Sequence, residues 1–316
     1  MTVYYAFKQE ETDHEDGNQR ASTGWETMLE GLISAGFQVT GTLPVRTTKK
    51  ARSVARGTNA LASAVILVCR PRSDSASVTT RRDFISALRR EIPDALQHLQ
   101  RSNIAPVDLA QAAIGPGMGV FSRYRNVLEA DGNPMSVRTA LQTINSELDA
   151  YFAEQEGDLD PDTRFCTAWF EQHSMGGAAF GEADVLARAK NSSVEGIAES
   201  GVLLARAGQV RLLSRDEYRD DWDPTSDSHL STWKCVQYLI RALKGGGEIE
   251  AARLVNLLGV GPSEAARGLA YRLYAICERK GWAQEAVAYN TLVTSWSYIQ
   301  SAATSSEATP LQRDLF

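Results

Sequence analysis

The chain has 316 residues, of which 43% are apolar and 23% charged, and a net charge of −6 at neutral pH. That balance suits a protein with a core large enough for two or three domains, and it excludes one that binds polyanions over its whole surface. No apolar run approaches the roughly 20 residues that span a bilayer.

The N-terminal MTVYYAFKQEE lacks the basic-then-apolar pattern of a secretory leader. Four cysteines, Cys69, Cys166, Cys235 and Cys277, are scattered without a Cys-x-x-Cys pair. A reduced, cytoplasmic protein without a zinc ribbon is expected.

In chain order, the first 72 residues read as α/β. Residues 2–7 (TVYYAF) are β-branched and aromatic, the composition of a strand. A polar loop follows, and residues 25–35 then place Trp25, Met28, Leu29, Leu32 and Ile33 at helical spacing, ending at Gly36. Residues 37–45 (FQVTGTLPV) predict a second strand. After the basic loop TTKKARSVARGTN, residues 61–69 (LASAVILVC) predict a third. Its nearly continuous apolar run suits a strand buried on both faces.

From residue 79 the pattern turns helical. Phe84, Leu88, Ile92, Leu96 and Leu99 mark a helix over 81–100. A second helix, 107–114, is expected to end in a tight turn at Gly115-Pro116-Gly117-Met118-Gly119, with further helices over 120–128 and 136–154. The acidic stretch 156–161 marks a boundary. Beyond it, helices at 162–172, 182–190 and 193–199 precede short apolar segments at 202–205 and 210–213, the outline of a winged helix-turn-helix. A link at 220–228 leads to helices at 229–244, 248–258, 263–280 and 284–299. The last two resemble a helical hairpin of the tetratricopeptide type, and a frayed polar tail follows residue 300. The expected divisions are 1–72, 79–156, 160–218, 226–300 and 301–316, an α/β region followed by mostly α structure.

Little of this carries catalytic chemistry. The histidines His14, His98, His173 and His229 stand apart, and no nucleophile motif is present. The Gly115–Gly119 stretch follows a helix and lacks both the dinucleotide and the P-loop spacing. The acidic cluster Asp216, Glu217, Asp220, Asp221 and Asp223 reads as a solvated linker rather than a metal site. Charge is unevenly spread: from Arg46 to Arg101 twelve Lys/Arg face four Asp/Glu, a surplus of eight. Such a band fits local contact with phosphate, and equally a surface that is merely basic.

Several long segments are informative together: TVYYAFKQ, TGWETMLEGLISAGFQVTGTLPVRT, GTNALASAVILVCRPR, NIAPVDLAQAAIGPGMGVFSRY, MSVRTAL and residues 272–286 (RLYAICERKGWAQEA). They resemble the C-terminal half of the large bacterial adenine-specific DNA methylases that carry a zinc ribbon and an N-terminal domain of unknown function. The resemblance runs to about residue 298. It implies a partial class I methyltransferase sheet, Rossmann-like, in which residues 2–7 are the fifth strand, 37–45 the sixth and 61–69 an inserted, antiparallel seventh.

The first four strands, the Gly-rich S-adenosylmethionine loop and the Asp/Asn-Pro-Pro-Tyr loop for the flipped adenine have no counterpart in this sequence. No cofactor is therefore expected on this chain alone; S-adenosylmethionine would come with a separately encoded N-terminal half that pairs with the first strand, unless the gene is truncated or its start misassigned. DNA is the other expected partner. The resemblance places Lys8, Arg46 and Asn59 near the target-base side, and the basic band adds Lys49, Lys50, Arg52 and Arg56 on the backbone. The hairpin basic residues Arg206 and Arg211 would join them if the winged helix grips DNA. An alternative is a non-enzymatic DNA- or protein-binding module of an anti-phage defence system. The expected recognition helix, 193–199, carries Glu195 and Glu199 and no basic residue.

Overall fold

Strand pairing near the N-terminus skips a neighbour. In the computed structural model, which describes residues 1–6, 23–46, 63–154 and 159–307, β1 (Thr2–Ala6) is followed by α1 (Thr23–Ser34), β2 (Phe37–Arg46) and β3 (Ser63–Pro71). The sheet order is β1-β3-β2, with β3 antiparallel to both neighbours. The two outer strands therefore run parallel, one strand-width apart, and β3 fills the gap. A bulge at Thr40 shifts the β2 register between Val39 and Gly41.

One face of this sheet is packed, and no described helix covers the other. Val39, Val65, Leu67 and Cys69 are buried, and the Tyr5 ring lies 4.7 Å from the buried Trp25 of α1. On the opposite face Tyr4, Ile66 and Leu43 form one cross-strand row. Tyr4 is 74% and Leu43 57% exposed, while Ile66 and its neighbour Val68 are half-buried. The apolar run in β3 is thus buried on one face rather than two, because α1 and the helix at Pro106–Ser122 both lie on the same side.

After β3, the short strand β4 (Val78–Thr80) pairs in parallel with β5 (Asn126–Leu128), and between them run α2 (Arg81–Arg101) and α3 (Pro106–Ser122). Thr80 caps α2 by accepting the Asp83 amide at 3.2 Å. α4 (Val137–Glu154) completes this unit, Met1–Glu154.

The Gly-Pro-Gly-Met-Gly stretch is not a turn: it lies inside α3, and the helix expected over 120–128 is instead the end of α3 followed by β5. Its glycines serve close approach. A Cβ on Gly115 would stand 2.0 Å from Thr42 Cγ2 on β2, and one on Gly117 2.6 Å from Ile144 Cγ2 on α4. Helix and strand meet where a side chain would otherwise separate them. Arg72 then ties the helix ends together, donating to Ile33 O at 3.2 Å, Ser122 O at 3.4 Å and Tyr124 O at 3.2 Å. Its cation sits where two helix C-termini present carbonyls.

The second unit, Gln155–Phe316, is built from α5 (Pro161–His173), β6 (Gly177–Ala179), α6 (Phe180–Ala189), α7 (Val194–Glu199), β7 (Leu203–Arg206) and β8 (Gln209–Leu212), then α8 (Thr232–Leu258), α9 (Val260–Lys280) and α10 (Ala283–Glu307). The three strands pair in the order β6-β8-β7. The helices expected at 229–244 and 248–258 are the two arms of α8, bent at Gly247 with φ 69°. The expected frayed tail is helical as far as Glu307.

Asp160 organises the start of this unit. Its carboxylate accepts the Thr163 amide at 2.8 Å, the Thr163 hydroxyl at 2.7 Å and the Thr232 amide at 2.9 Å. The Thr163 hydroxyl in turn accepts the Trp233 amide at 2.8 Å. One carboxylate thus serves the N-termini of both α5 and α8, where partial positive charge favours it.

The link before α8 exposes Asp220, Asp221 and Asp223, as expected of a solvated linker, and is anchored by its other side chains. Trp222 stacks on Tyr238 at 3.9 Å, and Asp227 accepts from Trp222 Nε1 and from the buried Lys234 ammonium, each at 2.7 Å. The chain as described is therefore mixed α/β with a helical C-terminal region, and no described helix is long and apolar enough to cross a membrane.

The α3 packing yields opposite outcomes for two glycine-to-alanine changes. Gly117→Ala should destabilise the protein by about 1–3 kcal/mol through overpacking against Ile144. Gly31→Ala in α1, where an added Cβ meets nothing within 4 Å, should stabilise it by about 0.5–1 kcal/mol. Urea denaturation of both variants reads the two signs.

Candidate functional site

The basic residues predicted to meet DNA divide into two groups. Lys8, Lys49, Lys50, Arg52, Arg56 and Asn59 lie outside the described residues, and so does the side chain of Arg46, whose backbone closes β2. Arg206 and Arg211 are described, one at each end of the β7–β8 hairpin.

The described part of the basic band is largely neutralised within the fold. Arg81 pairs with Glu129 at 3.0 Å, Arg89 with Glu147 at 2.8 Å and Arg90 with Glu91 at 3.0 Å. Arg72 is spent on backbone carbonyls. Arg70, Arg82 and Arg101 remain exposed.

The hairpin is held firmly. Ala207 and Gly208, with φ of 52° and 75°, form a two-residue turn whose handedness matches the twist of its strands. The Gly208 carbonyl accepts the Phe180 amide at 2.9 Å, tying the tip to the start of α6. Arg206 is exposed beside this turn, with no ion pair among the described residues. Arg211 is committed elsewhere: its guanidinium donates to both carboxylate oxygens of Glu217, at 2.7 and 2.5 Å. Glu217 also accepts the Ser214 amide and hydroxyl, at 2.9 and 2.8 Å. These bonds, those from Arg211 foremost and Ser214 next, lower the Glu217 pKa from 4.5 to about 2. In front of the hairpin, α7 exposes Glu195 and Glu199 and buries Val194 and Ile197.

The acidic cluster is exposed, as expected of a solvated linker, and its carboxylates also have partners. Beyond Glu217, Asp220 pairs with Arg241, Asp221 with Arg219 at 2.8 Å, and Asp223 caps Thr225. Among the described residues no group of three or more His, Cys, Asp or Glu could hold a metal ion. The four cysteines are buried, and burial raises the pKa of Cys235 and Cys277 to about 12. None of these thiols is set up as a nucleophile.

Two features escaped the sequence reading. One is the cap formed by Ser214 and Glu217, signalled by a Ser three residues before a Glu. The exposed row Tyr4–Ile66–Leu43 needs the strand register, which composition does not supply.

Because Arg211 and the Ser214 groups favour the ionised form of Glu217, their contact contributes stability above about pH 4.5 and loses it as the pH falls towards 2. A carboxyl NMR titration should place the Glu217 midpoint near 2; a midpoint at the ordinary glutamate value would show that the pair does not persist in solution.

No curated protein and no solved structure matches this chain. Residues 160–315, which hold α5 through α10, match a family described as "Domain of unknown function (DUF8807)".

Proposed function

We propose that the chain is the C-terminal portion of an adenine-specific, S-adenosylmethionine-dependent DNA methyltransferase, working in the cytoplasm with a catalytic half supplied from outside this chain. The observation that carries this reading is the sheet order. Sequence neighbours usually pair, yet β1 and β2 lie parallel with a gap between them, and β3 enters that gap antiparallel. This supports the mapping implied by the sequence resemblance, with β1, β2 and β3 as the fifth, sixth and inserted seventh strands of a class I methyltransferase sheet.

On this reading the chain does not transfer methyl groups alone. The reaction needs an extruded adenine aligned with the sulfonium methyl, and the loops that hold both belong to the other half. This chain's part is to close the sheet and to present the basic segment around Lys49, Lys50, Arg52 and Arg56 to the DNA backbone, with Lys8, Arg46 and Asn59 nearer the base.

For the second unit, three helices, an added strand β6 and the β7–β8 hairpin support a winged-helix-like reading. Two observations favour protein rather than DNA as what it meets. Arg211 is already paired with Glu217, and α7 presents Glu195 and Glu199 outward, which phosphate would repel. A protein-binding module is therefore the second reading, confined to this unit.

Calorimetry with S-adenosylmethionine tests the first reading. The chain alone should show no binding, and the chain with the polypeptide encoded immediately upstream should bind the cofactor and methylate adenine in DNA. Binding by the chain alone, or by neither preparation, contradicts it. In the complex, changing Lys49, Lys50, Arg52 and Arg56 together to Ala should flatten the dependence of DNA affinity on salt by a slope of about 3–4. Arg206→Glu should leave that slope unchanged.

A further inference from the structure

We draw no further inference here: the strongest candidate, the cleft of about 130 Å³ between α1, α3, β5 and α4 lined by Glu30, Tyr124, Arg125, Asn126 and Met135, carries nothing, because none of its polar side chains is buried and nothing in the structure shows what it would hold.

Discussion

Residues Ser63–Pro71 form hydrogen bonds to a strand on each side, and that double pairing fixes most of the N-terminal unit. With β3 held between β1 and β2, the alternation of its side chains decides what is covered. Val65, Leu67 and Cys69 go under α1 and α3, while Ile66 and Val68 go to the other face. A register slip of one residue would exchange the two sets. The close approach of α3 reinforces the choice, since Gly115 lets the helix rest against Thr42, which faces the same side as Leu67. Among the described residues both helices that pack on this sheet lie on one face, and the functional reading grows from the order of its strands.

The C-terminal unit depends on a different constraint. Asp160 and Thr163 satisfy donors from two helix N-termini distant in sequence, joining the first helix of the hairpin unit to the first helix of the C-terminal bundle. Further along, Arg215 repeats the device with opposite charge. It donates to Glu285 on α10 at 2.6 Å and to Gln237 on α8 at 2.8 Å. Polar contacts of this kind tie the small sheet to the long helices.

Much of the fold was legible because period and composition agreed with the final environment. The strand at TVYYA, the helix carrying Trp25 and Leu29, and the stripe Phe84–Leu99 each owe their structure to neighbours that their own pattern anticipates. The failures share a cause. Gly115, Gly117 and Pro116 are helix breakers by propensity, and only the proximity of Thr42 and Ile144 makes the glycines useful inside α3. Residues 126–128 are too short to signal a strand without the parallel partner at 78–80. Of the proposed DNA-contacting residues, the sequence could name Arg211 as basic but not foresee that Glu217 occupies it. The apolar row on the open face was invisible for a related reason: Tyr4, Leu43 and Ile66 are far apart in sequence and become one surface only through register.

The central claim is that β1 hydrogen-bonds to β3 through alternate residues and to no other described strand. Residue-resolved amide hydrogen exchange tests it most directly. Val3 and Tyr5 should exchange slowly, and Tyr4 and Ala6 at least tenfold faster, in an alternating pattern. Uniform protection along Thr2–Ala6 in the isolated chain would contradict the claim, because the outward amides would already have their partners.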